Sequence, residues 1–135
     1  MSAYHTQKTQ YKDRDCLVEA LGEMGYKNVE VNEVAQNLFG YHGDKRAQTA
    51  NVIVRRQHIG SAANDLGFVK AADGTYSAIV SDYDSNKHDA TWMTKLKVAY
   101  TEKVDMKTAR KNGLQFLGKK IVNGKVQLQF IDNRK

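Results

Sequence analysis

Residues 91–113 form the longest stretch of helical character in the sequence, and they limit what the rest of the chain can be. On a 3.6-residue period, Trp92, Met93, Leu96, Ala99 and Tyr100 fall within one arc of about a third of the helix circumference. A helix with one apolar stripe must bury it, and a sheet is the economical cover. Past Tyr100 the same arc receives Lys103, Lys107 and Arg110. Two outcomes are open. Either the helix bends near residues 101–105, with Asp105 capping a second segment, or its second half leaves the core and shows a basic face.

The elements around this helix follow from local chemistry. Residues 4–11, rich in Thr and Tyr, suit an opening strand. Asp13 is placed to cap a helix that carries Cys16, Leu17, Ala20, Leu21 and Met24 at helical spacing and stops at Gly25. Val29 and Val31 alternate with polar residues as a second strand. Residues 38–46 read as a turn-rich loop with two glycines and a basic end, and residues 50–56 as a central strand with Arg55 and Arg56 at its exit. After a loop at 59–64, strands at 65–70 and 75–81 join across Asp73-Gly74. The acidic loop 82–89 leads into the long helix, with Asp89 as its N-cap. Asn123-Gly124 is the strongest short-range hairpin signal available and joins strands 114–122 and 125–131. In the last strand Val126, Leu128 and Phe130 alternate with Gln127 and Gln129, which predicts one buried face and one wet face. This order predicts one α+β domain over residues 1–135, an elaborated ferredoxin-like sandwich. Its sheet is mainly antiparallel, with two helices on one face.

Composition removes several function classes. No run of about 18 apolar residues exists, so no membrane span is expected. The first dozen residues are polar and lack the apolar core of a secretory signal. The one cysteine, Cys16, sits on an apolar helix face, where it reads as a small buried hydrophobe in a reducing cytoplasm. Of the 135 residues, 1–90 hold ten Lys/Arg against twelve Asp/Glu, whereas 91–135 hold eleven against three. That asymmetry points to a polyanionic partner, nucleic acid or nucleotide; the bland alternative is a solvated lysine-rich face.

Each candidate chemistry has a plain structural counterpart. Asp82, Asp84 and Asn86 begin like a calcium loop, but Lys87 and Met93 occupy the places that need Gly and a bidentate Glu, so a capping loop is the better reading. His5, His42, His58 and His88 are dispersed without metal-ligand spacing, and no metal is assigned. His58 with Asp65 beside Ser61 lacks any nucleophile-elbow or oxyanion signature. Phe68, Tyr76, Phe116 and Phe130 lie in strands, where single-stranded RNA readers stack bases, yet the signature of those readers is absent and the rings read as core. Gly40, Gly43, Lys45 and Arg46 form the most suggestive loop. Its glycines let backbone N–H groups approach an anion, and Arg55 and Arg56 follow one strand later. It is not a Walker loop.

Several stretches occur together in one known family. These are Thr6-x-Lys8-Thr9, Asp13 with Leu17, Ala20 and Leu21, Gly40-Tyr41-x-Gly43, and Val52-Ile53-Val54-Arg55. Further along come Asp65-Leu66-Gly67-Phe68, Asp73-Gly74-x-Tyr76, Lys95-Leu96 with Tyr100, and Ala109-Arg110-Lys111-Asn112-Gly113. In this combination the chain resembles the family first named as hypothetical chloroplast reading frame number thirty-five, which has plastid, cyanobacterial, bacterial and phage members. The resemblance supplies no catalytic residues to carry over, and no cofactor is assigned. The chain departs from the family pattern in an extended region between Val31 and Leu38, an insertion-like Ser61-Ala62-Ala63, and no tryptophan near the C-terminus.

The leading expectation is a non-enzymatic binding protein for a phosphate-bearing ligand, in the cytoplasm of a cell or, for a phage protein, of its host. Lys45, Arg46, Arg55 and Arg56 would make the specific contacts, and Lys103, Lys107, Arg110 and Lys111 the electrostatic surface. The rival expectation is a protein–protein adaptor or homo-oligomeric subunit using the edge of strand 125–131. A small acid–base enzyme built on His58 or His42 is a third.

Overall fold

The computed structural model describes residues 3–132. Its elements run β1 (Tyr4–Lys8), α1 (Arg14–Glu23), β2 (Val29–Phe39), β3 (Lys45–Val54), β4 (Leu66–Lys70), β5 (Tyr76–Ser81), α2 (Ala90–Lys111), β6 (Leu114–Val122) and β7 (Lys125–Asp132). Short 3-10 turns occupy Arg56–His58 and Tyr83–Asn86. Five strands form an antiparallel sheet in the order β1-β5-β4-β3-β2, and β6 and β7 form a sheet of their own. Because every neighbouring pair in the large sheet is antiparallel, β1 and β2 run the same way at opposite edges, and α1 carries the chain from one to the other. The result is the elaborated ferredoxin-like α+β sandwich, with both helices on one face.

Strand alternation sorts that core. Val52, Val54, Leu66, Phe68, Ala78 and Val80 turn toward the helices and meet Leu17, Ala20 and Leu21 of α1 and Met93, Leu96 and Ala99 of α2. Each fully buried Leu or Phe among them contributes about 1.5–3 kcal/mol. Both helices start where an aspartate accepts from the first turn: Asp13 Oδ1 from the Cys16 N–H at 3.0 Å, and Asp89 Oδ1 from the Trp92 N–H at 2.8 Å.

The long helix continues unbroken through residues 101–105, and its basic stripe is shared between α1 and solvent, with Lys107 half exposed and Arg110 exposed. It is a single run of 22 residues with Glu102 and Ala109 buried in its second half. Beyond Tyr100 the stripe faces α1 rather than the sheet. There Lys103 reaches Glu23 at 2.6 Å, and Lys107 reaches Asp13, which caps α1. Acidic side chains on the neighbouring helix replace apolar cover.

The second difference from expectation lies in β2 and β3, whose strands take both ends of the stretch read as loop and leave residues 40–44 as the turn. Pairing runs from Val29–Val54 to Val31–Val52, then resumes at Gln36–Ala50, so β2 spends extra residues between the two registers. The Asn51 side chain fills the gap: its Nδ2 donates to the carbonyls of Asn32 and Glu33, and its Oδ1 accepts from the Lys70 N–H. Past this bulge the hairpin folds over the face opposite the helices, where Leu38, Ala50, Ile53 and Ile79 form a smaller core. Gly67 makes that approach feasible, since a Cβ there would lie 2.6 Å from the Ala50 Cβ and 3.0 Å from Leu38.

The C-terminal hairpin turns on Asn123 (φ 51°) and Gly124 (φ 75°), the pair of positive φ values that a two-residue turn of type I′ needs. Among the described residues, no helix is long and apolar enough to cross a membrane.

Candidate functional site

The eight cations singled out in the sequence do not converge. Arg55 lies under the folded-over hairpin. Its Nε and Nη2 donate to the two Glu30 oxygens at 3.0 and 2.7 Å, and its Nη1 donates to the Asn37 carbonyl and to Asp65 Oδ2 at 2.8 Å. Four of the five N–H groups of this guanidinium are thus held inside the protein. The fork of hydrogen bonds from Arg55 keeps the Glu30 carboxyl below its usual range. Asp65 is fully buried and also accepts from the backbone N–H groups of Phe39 and Arg56. Arg56 folds back onto its own loop, donating to the carbonyls of Ala63 and Ser61. These two arginines fasten the hairpin and the β3–β4 loop to the sheet. Lys103 and Lys107 bridge the helices, and the Lys107 bond helps hold Asp13 below its ordinary value although burial works against it.

Lys45 and Arg46 begin β3 at the far end of the hairpin, across the sheet from α2. Arg46 lies over the Tyr4 ring and 3.9 Å from Asp44. Arg110 and Lys111 are exposed in the last turn of α2. The 40–46 loop keeps Asp44 beside Gly40, so carboxylate already occupies the space an anion would need.

The buried polar groups at the loop end of the sheet satisfy one another. Ser81 Oγ donates to Asp84 Oδ2 at 2.6 Å, Asp84 Oδ2 accepts from the Asn64 N–H, and Asn64 Oδ1 accepts from the Tyr41 N–H. His88, 4 % exposed, has Nε2 at 2.8 Å from the Tyr26 hydroxyl and its ring edge-on to Trp92. Burial pulls its pKa down to about 4, so it is neutral at physiological pH. Its Nδ1 has no hydrogen-bond partner. Asp65, considered with His58 as an acid–base pair, has both oxygens engaged by Arg55, Arg56 and Phe39. Burial pushes the Cys16 thiol up to about 11, away from nucleophilic use. No group of three or more His, Cys, Asp or Glu among the described residues is arranged to hold a metal ion.

The open surface lies elsewhere, between α2 and the C-terminal hairpin. By register, Leu114, Phe116, Lys119 and Ile121 of β6 share one face with Asp132, Phe130, Leu128 and Val126 of β7. That apolar face looks toward α2 but does not close on it. A cleft of about 1070 Å³ separates Thr94, Val98, Thr101 and Glu102 from Val126, Leu128 and Phe130. Lys119 spans it by pairing with Glu102 at 2.8 Å. Val98 is 49 % exposed, Val126 51 % and Ile121 74 %. The face expected to be buried in the last strand is therefore half open. A neighbouring groove between residues 7–11 and α2 shares Thr94, Lys97 and Thr101 with this cleft, so the exposed side of α2 is the floor of one continuous concave surface. Lys97 and Lys125 around it make no ion pair among the described residues.

Sequence reading located the hairpin and its apolar alternation, Val126 included, but did not single out Val98 or Ile121. The available signal was numerical: six apolar residues on one hairpin face, and a helix whose own stripe was already used against the sheet and α1.

A family model described as a protein of unknown function (DUF1257) matches residues 20–128. No curated protein and no solved structure matches the chain.

Proposed function

The chain belongs to the DUF1257 family, and we propose that it acts as a non-enzymatic interaction module that docks a protein partner on α2 and the C-terminal hairpin. One observation carries this reading: a two-stranded sheet whose apolar residues Ile121 and Val126, with Val98 of the facing helix, stand open to solvent. Contiguous apolar surface on a small protein marks an interaction site, and a lone hairpin is marginal unless something else covers its face. Tyr83 and Val34 are also exposed, but each lies apart from this cleft.

A phosphate-bearing ligand, nucleic acid or nucleotide, is the second reading. Lys97 and Lys125 favour it, since they rim the same surface and make no ion pair among the described residues. Arg110 and Lys111 extend the charge at the end of α2. The finer placement, among the chloroplast reading frame thirty-five proteins and in a reducing cytoplasm, belongs to the proposal too. The sequence motifs support the first, and the buried thiol of Cys16 fits the second.

A photo-crosslinking residue at Ile121, in cells, tests both readings. A discrete protein adduct is expected. Adducts to nucleic acid alone would favour the second reading, and uncaptured protein at this position with capture at Tyr83 instead would refute the hairpin as the docking site.

A further inference from the structure

Within that reading, and resting on it, we infer that the partner is a second copy of this chain, joined to the first by pairing β7 with β7 across a two-fold axis. Among the described residues, each strand of the hairpin has an edge without a neighbouring strand, but the two edges differ. In β6 the pairing slips between Phe116 and Gly118, which puts a bulge at Leu117 and spoils the strand for a further neighbour. β7 runs through its pairs from Lys125 to Gln129 without a slip. It also carries no proline and only two charges, Lys125 and Asp132.

Two-fold symmetry requires a strand that meets itself to run antiparallel, with the same face on the same side. Centred on Leu128, the pairing sorts by chemistry. Leu128 meets Leu128 of the copy, and Val126 meets Phe130, all on the apolar face. On the other face Gln127 meets Gln129, side-chain amide to side-chain amide. The two charges sit at opposite ends of β7, so each Lys125 approaches the Asp132 end of the other chain. The added strand also extends the apolar face over Val98 and roofs the cleft beside β7. Two marginal hairpins become one four-stranded sheet, the size at which a sheet with one apolar face is stable.

Sedimentation equilibrium on the full chain, from micromolar to several hundred micromolar, tests this together with two double variants. Gln127 and Gln129 are exposed in the single chain, and the cost of a lysine at 127 facing Lys120 is common to both variants, so it cancels in their comparison. Gln127→Lys with Gln129→Lys sets like charges opposite each other at two symmetric positions; Gln127→Lys with Gln129→Glu sets opposite charges there. The unmodified chain is expected to dimerise, and the Lys/Lys variant to dissociate about tenfold more readily than the Lys/Glu variant. A monomer at every concentration, or two variants with equal dissociation constants, overturns the pairing. An apolar fluorescent dye separates this failure from that of the broader reading. A monomer that binds dye, and loses it with Ile121→Ser and Val126→Ser, keeps the docking surface and rejects only the second copy. A monomer that binds no dye rejects both.

Discussion

Replacing Asp65 by Asn should be among the most damaging single-atom changes in this chain. Asp65 accepts from the Arg56 N–H at 2.7 Å, the Phe39 N–H at 2.8 Å and Arg55 Nη1 at 2.8 Å, with its side chain fully buried. Asparagine keeps the size and one acceptor oxygen. Its amide NH2, however, must face one of these donors, and Arg55 loses a counter-ion. A charged hydrogen bond contributes about 1.5–3 kcal/mol, and an orphaned buried donor costs about 1–3 kcal/mol. Arg55 retains both bonds to Glu30, which keeps the sum below the worst case for a broken buried pair, so the expected loss is about 3–4 kcal/mol. Out of a total stability of about 5–15 kcal/mol this is large. Urea unfolding measures it, with Glu30→Gln as the control. Glu30 sits 38 % exposed on the same guanidinium, and its replacement should cost about 1 kcal/mol or less. Hydrogen exchange should show the Phe39 amide opening early while the helix-side core stays protected. A loss below 1 kcal/mol, or equal losses in the two variants, would refute the view that Asp65 and Arg55 fasten the hairpin over the second sheet face.

Three further outcomes follow from the same geometry. His88 titrates near 6.5 when unfolded and about 4 when folded, so the unfolded chain takes its proton first as the pH drops. Stability should fall from about pH 6.5 and level off near pH 4, by up to about 3 kcal/mol, and the pH profile of His88→Gln should lack this component. Gly67→Ala drives a methyl into Ala50 and Leu38 and should cost about 1–3 kcal/mol in thermal or urea unfolding, although alanine suits a strand better than glycine. Asp89→Ala removes the cap on the Trp92 N–H and should cost about 1 kcal/mol, read as a lower melting temperature without a change in oligomeric state.

Much of the fold was legible because its signals are local. Asp13 and Asp89 announce helix starts through one short side chain each, and Asn123-Gly124 and Asp73-Gly74 announce turns through backbone conformations that few other residues accept. The bulge in β2 was not legible: Asn32, Glu33 and Ala35 are poor strand formers but carry no Gly or Pro turn signal, and the register jump depends on Asn51 bridging three strands. The roles of Arg55, Lys103 and Lys107 were hidden for a related reason. A basic residue reads as charge offered outward until its acidic partner is located, and Glu30, Asp65, Glu23 and Asp13 are remote in sequence from the cations they hold. The exposed hairpin face was half legible, since alternation shows that a strand has an apolar side and says nothing of what covers it.

The most direct test of the docking surface is amide hydrogen exchange across residues 125–132, followed as a function of protein concentration. Docking of a second copy on β7 predicts that the amides of Val126, Leu128 and Phe130 become slower as concentration rises, while those of β1 stay unchanged. Exchange on β7 that is fast and independent of concentration, in a chain that also binds no apolar dye, would contradict the account.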